Sequence, residues 1–175
     1  TVGRALAATA VALSISAAAS AAPKSSVPVA RPVGGADAAL TVLLNRHRAA
    51  AFVAPVKRVP TMSRAAMAYA RFQATYNLFG HQADGRNAMQ RMMLTGFAPC
   101  IWGENVYSTY STKPRTKNQL VAEAFNWWRH SPAHNRNMLD RRYAGIGTGF
   151  ATAKHGKFYV YKVVMTFGTP AGYCR

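Results

Sequence analysis

Apolar residues recur at helical spacing from Leu40 through Leu43, Leu44 and His47, with Ala50 and Ala51 continuing the same face. Asp37 just ahead of them is the expected N-cap, so order is predicted to begin there. A loop bounded by Pro55 and Pro60 follows. Ser63 is the next cap candidate, and the helix after it carries a stripe through Ala66, Met67, Ala70, Ala74 and Leu78, ending near Gly80. A third helix is predicted from Asn87 to Leu94, stopped at Gly96. The pattern then turns β-like from Phe97 to Tyr110, with Ile101, Val106 and Tyr107. Past a basic loop, a helix is expected from about Gln119 to Trp128. Ser131-Pro132 opens another, because proline at the first helical position has its φ preset and loses no needed N–H. Two strands, Gly145 to Thr152 and Lys157 to Gly168, flank a turn at Lys154-His155-Gly156. The last is apolar on both faces, so it is predicted to be central and covered on both sides. Helices before and between antiparallel strands make a layered α+β fold.

Upstream of this pattern the chain changes character. Arg4 is the only charge before Lys24, the run from Ala5 to Ala22 is apolar or small, and Ala19-Ser20-Ala21 has the form of a cleavage site. We therefore expect 1–21 to be an export signal, 22–36 a flexible Pro/Ser/Gly leader, and 37–175 a single domain. No later stretch suits a membrane span. The charge is lopsided: 22 Lys and Arg face five acids, for a formal +17 that a cleaved signal lowers by one. Such a chain is attracted to anionic lipids, acidic glycans or wall phosphates. Nucleic acid is a poorer expectation, since the basic residues are scattered and no reader motif is present. Two cysteines, Cys100 and Cys174, in an exported chain suggest a disulfide worth about 4 kcal/mol, with two free thiols as the alternative.

Four local signals occur in order: Phe79-Gly80-His81 with Asp84-Gly85-Arg86 and Arg91; Gly103-Glu104-Asn105; Trp128 with Ser131-Pro132-x-His134 and Asn137-Met138-Leu139; and Gly145-Ile146-Gly147-x-Gly149. At these spacings, from about Leu43 to Gly168, they resemble the CAP superfamily of cysteine-rich secretory proteins, venom antigens and plant pathogenesis-related proteins, in its bacterial form. The resemblance implies a three-layer α-β-α sandwich around a mainly antiparallel sheet. It also implies a cleft lined by two histidines and two glutamates, whose histidines bind zinc or another divalent cation. Carried over by motif, the histidines are His81 and His134 and the first glutamate is Glu104. The second glutamate's position, three residues after Trp128, is Ser131, so the fourth member is missing. Ser131 and Trp128 are expected at the cleft, and of the adjacent Trp127 and Trp128 one is expected in the core.

Read without the family, neutral imidazoles suit a borderline divalent ion, and a carboxylate can orient a ligand histidine. Glu104 also has a structural reading, as a buried carboxylate paired with a neighbouring arginine or with backbone N–H groups, holding strand to helix. Three functions follow. The first is a secreted, monomeric, non-enzymatic binder of a small amphipathic ligand (a lipid or sterol) or of an anionic lipid or glycan surface. The second is a metal-assisted hydrolase with Glu104 as base, although the chain has neither GxSxG nor HExxH. The third is a secreted effector recognised through loops such as Thr112 to Lys117.

Overall fold

The apolar alternation at the C-terminal end becomes two long antiparallel strands, β4 (Gly145–His155) and β5 (Phe158–Pro170), joined by a tight turn. The computed structural model describes residues 27–174, so the expected export signal lies outside the described residues. On the far side of β5 lies β3 (Pro99–Ser111), paired antiparallel along its whole length. Two short strands, β1 (Arg31–Pro32) and β2 (Lys57–Arg58), meet the outer side of β4, the second in parallel. The order β1-β4-β5-β3 places β5 centrally, as its two apolar faces predict, and leaves β3 as an edge.

Helices cover both faces. On one, α1 (Ala36–Ala50), α4 (Lys117–His130) and α5 (Pro132–Leu139) bury Leu40, Leu44, Phe125, Trp128 and Met138 against Ile146, Phe150, Val163, Met165 and Phe167. On the other, α2 (Pro60–Tyr76) lays Ala66, Ala70 and Ala74 on Val106, Ala151 and Val164. The short α3 (Ala88–Leu94) packs Ala88 and Met92 against Met62 and Phe97. The result is the expected α-β-α sandwich. The small stripe of α2 works together with glycines on β4. A Cβ at Gly147 or Gly149 would fall on the backbone of Met62 or Ala66, so helix and strand approach without side chains between them.

Several boundaries differ from expectation. The described part of the expected leader is held down: Ala30 is buried, β1 pairs with β4, and the Val33 N–H donates to the Phe150 carbonyl at 2.9 Å. Helix α1 starts at Ala36 with Gly35 as cap at φ 72°, a conformation glycine adopts freely, and Asp37 sits inside the first turn, paired with Arg58 at 2.8 Å. Ser63 caps nothing, because α2 begins at Pro60. That helix ends at Tyr76 with Asn77 left-handed, so Leu78 lies beyond it and is exposed. Asn87 and Thr116 each form a capping box, with Gln90 and Gln119, at the starts of α3 and α4. Cys100 and Cys174 are bridged, tying the chain's end to the start of β3.

Candidate functional site

The Gly-Glu-Asn triplet lies on the edge strand β3, where successive side chains leave on opposite faces. Glu104 turns into the α2–α3 layer. Its Oε2 accepts from Arg91 at 2.7 Å, and its Oε1 lies 3.0 Å from His81 Nδ1. Arg91, only 5% exposed, also donates to Asp84 Oδ1 at 2.8 Å and to the carbonyls of His81 and Arg86, and its guanidinium stacks 3.5 Å over the Tyr69 ring. Tyr69 in turn donates to the Gly80 carbonyl and accepts from the Ala83 N–H, while Gln73 donates to the same Gly80 carbonyl. The loop carrying His81 is thereby held from three sides.

Asn105 turns the other way. Its amide donates to the His134 carbonyl at 3.0 Å and its oxygen accepts from Asn137 at 2.9 Å, which fastens the first turn of α5 to the sheet. Asn137 also reaches the Glu104 carbonyl at 3.3 Å. Gly103 is small for a local reason: a Cβ there would collide with the Tyr143 hydroxyl, which donates to the Trp102 carbonyl.

His134 shares a 2.7 Å hydrogen bond through Nδ1 with Ser131 Oγ, and its ring lies 4.6 Å from that of Trp127. Burial, and secondarily the nearby charge of His81, hold its imidazole below the usual value. Ser131 occupies the N-cap position of α5, but its hydroxyl serves His134 rather than a helix N–H. Trp128 is not a cleft residue. It is fully buried, with its indole N–H on the Val106 carbonyl, and the tryptophan beside the histidine is Trp127, which is half-exposed. The sequence carried that signal, since Val121, Ala124, Phe125 and Trp128 form one helical stripe. Beside Ser131 lies an open hollow of about 510 Å³ lined also by Tyr107, Glu123, Asn126, Trp127 and His130. Glu123 there is bound to Arg115 and the Tyr107 hydroxyl.

The remaining histidines have structural partners. His47 meets Asn135, His130 the Asn126 carbonyl and His155 the Ala74 carbonyl.

The donor set decides how well a metal fits. Both histidines engage Nδ1 in a hydrogen bond, which leaves Nε2 of each for a ligand and matches the usual support of metal-binding imidazoles. Glu104 has both oxygens committed, and among the described residues no three His, Cys, Asp or Glu gather around one point. The two imidazoles offer at most two protein nitrogens, which is fewer than a three-ligand protein centre needs.

Comparisons with known proteins agree with this architecture. No curated protein matches the chain. Among solved structures, an outer surface protein of Borrelia burgdorferi superposes with TM-score 0.64 at 18% identity, covering 82% of this chain and 98% of that one. An extracellular protein containing an SCP domain from Bacillus anthracis gives TM-score 0.57 at 18% identity, over 74% of this chain and 40% of its own length. A cysteine-rich secretory protein of Staphylococcus aureus gives 0.51 at 16%, over 79% and 41%. The chain thus spans about two fifths of the last two proteins, and all three likenesses concern the fold. Residues 42–167, most of the sequence, match the profile described as CAP, the cysteine-rich secretory protein family, and the chain belongs to that family.

Proposed function

We propose that the protein is an exported, non-enzymatic binding protein that docks on anionic lipid or wall-polymer surfaces by charge and takes a small amphipathic ligand at the His81–His134 cleft. One observation carries the docking. All five acidic side chains of the sequence are held by arginines: Asp37 by Arg58, Asp84 and Glu104 by Arg91, Glu123 by Arg115 and Asp140 by Arg142. Among the described residues, the only other Lys or Arg within 4.0 Å of a carboxylate is Arg86, 3.9 Å from Asp84. Arg48 and Lys162 are buried on internal oxygens, and the remaining described Lys and Arg side chains lack a carboxylate partner and are available to solvent or to a polyanion. No helix of the described residues is long and apolar enough to cross a membrane. Export is supported by the N-terminal sequence pattern, by the disulfide and by the extracellular or outer-surface descriptions of the structural neighbours.

The non-enzymatic reading is supported by Glu104, whose two oxygens serve Arg91 and His81 and leave that carboxylate no free oxygen to act as general base. A hydrolytic reading keeps one observation in its favour, the Ser131–His134 hydrogen bond at 2.7 Å. Zn²⁺ held by His81 and His134 would supply Lewis-acid polarisation of a ligand oxygen. The docking is tested by sedimentation with vesicles of phosphatidylcholine mixed with phosphatidylglycerol. Binding is expected at about 50 mM salt and its loss by about 0.5 M, as screening shortens the reach of each charge. Retention undiminished at high salt, or no binding at low salt, contradicts charge-driven docking.

A further inference from the structure

One end of the sheet presents apolar side chains that the core does not use. Helix α2 ends at Tyr76, and just beyond it Leu78 and Phe79 are 41% and 57% exposed. Their exposure is built into the backbone. Asn77 ahead of them and Gly80 behind them take positive φ angles of 49° and 130°, the first uncommon for a residue with a side chain. Hydrogen bonds fix both ends of this bend. The Leu78 N–H donates to the Gln73 carbonyl at 2.9 Å, and the Gly80 carbonyl accepts from both Tyr69 and Gln73 at 2.7 Å. Two large apolar side chains are thus held outward on pinned backbone.

Strand alternation brings more apolar surface to the same side. Buried Lys162 of β5 donates to Ser108 of β3 at 2.8 Å, and its Nζ lies 5.7 Å from the Phe79 ring, so Phe79 covers the α2 face of these strands. Two residues along β3 on that face stands Tyr110, 70% exposed. Its ring meets that of Phe158 edge-on at 5.6 Å. The turn beside Phe158 is cationic: Lys157 Nζ lies 5.4 Å from the Phe158 ring, and Lys154 is exposed. His155 in that turn donates to the Ala74 carbonyl, which joins the turn to the end of α2. The segments that build this end of the molecule, 70–82, 106–117 and 150–160, contain no Asp or Glu.

We propose that this end of the sheet is the face that enters an anionic bilayer, with Leu78, Phe79 and Tyr110 in the headgroup–acyl boundary and Lys154 and Lys157 on lipid phosphates. The proposal rests on the charge-docking reading and gives it an orientation. Apolar and aromatic side chains rimmed by cations, with no acid among them, match a partner that is apolar within and negative at its surface. A second copy of the chain matches poorly, because two such ends bring the same uncompensated lysines together. Docked this way, the His81 loop, two residues beyond Phe79, lies at the lipid surface.

The test is sedimentation with phosphatidylcholine–phosphatidylglycerol vesicles at about 50 mM salt. Leu78→Ser/Phe79→Ser keeps every charge and is expected to weaken binding about tenfold or more, because apolar area is no longer withdrawn from water. The control Phe52→Ser/Tyr173→Ser removes two rings that are more exposed still, near the Gly145 end of β4, and should stay within about twofold. Phe79→Trp should bind at least as well, and its added emission should be quenched by brominated phosphatidylcholine after subtraction of the wild-type signal. That arm decides the matter even if the serine pair loses its fold. Binding unchanged in Leu78→Ser/Phe79→Ser, equal losses in the control, or Phe79→Trp emission that brominated lipid leaves unquenched overturns the face. Salt-sensitive binding that persists in that event leaves the docking reading standing. No vesicle binding by the wild type removes both. A dimer in sedimentation velocity that Leu78→Ser/Phe79→Ser dissolves, with vesicle binding unchanged, overturns the proposal in favour of a second copy.

Discussion

Replacing Arg91 with methionine tests whether the cleft rests on a buried ion pair. The substitution keeps a long side chain but removes the partner of Glu104, whose side chain is 2% exposed and then faces only His81. Asp84 loses its 2.8 Å partner too, but it is more open and keeps Arg86 at 3.9 Å. The cost is therefore set by Glu104. Breaking a buried pair from one side costs about 3–5 kcal/mol, because the remaining charge stays desolvated. For a domain of this size that lowers Tm by roughly 10 °C, measured by thermal melting and urea unfolding at neutral pH. The double variant Arg91→Met/Glu104→Gln removes the stranded charge and should regain about half of the loss or more. A single-variant cost below about 1 kcal/mol, or a double variant no more stable than the single, would refute the reasoning, since Glu104 would then be compensated from elsewhere.

Burial and the His81 charge depress the His134 imidazole, so folding disfavours its protonated form. Its contribution is complete above the unfolded value of about 6.5 and is lost as pH falls through the lower folded value, so His134→Gln should flatten the decline in urea midpoint between about pH 7.5 and 5.5; parallel curves contradict this. Zinc titrated by calorimetry into metal-stripped protein should show one weak site that His81→Ala/His134→Ala abolishes; binding that survives in the variant places the ion elsewhere. Gly147→Ala should cost about 3 kcal/mol in urea unfolding, because the new methyl meets the Met62 backbone rather than a movable side chain, and a loss under about 1 kcal/mol would show that α2 can step away from β4. Cys100→Ser/Cys174→Ser opens a bridge spanning 74 residues and should cost about 4 kcal/mol by chain entropy, read as a lower Tm with unchanged vesicle binding.

Local chemistry marked most elements in the sequence, and tertiary chemistry did not. The central position of β5 followed from its two apolar faces, and α5 from Ser131-Pro132. Pro60 was as good a helix start as Ser63, but the two-residue strand before it has no periodicity to announce it. The pinning of 27–35 depends on an unpaired β4 edge that only the assembled sheet provides. Trp128 is core and not cleft because it continues the stripe of Val121, Ala124 and Phe125, and the motif spacing carries no information about that face. The commitment of Glu104 to Arg91 was one of two readings open in the sequence, and the pairing of every acid with an arginine was invisible there.

Glu104 and Asn105 are neighbours on one strand, yet one braces His81 from the α3 side and the other holds the His134 turn on the α5 side. Both histidine supports are therefore tied to a single register of β3. A one-residue slip of β3 would exchange the two braces and dismantle both walls of the cleft together, even with every contact inside the His81 loop and inside α5 left intact.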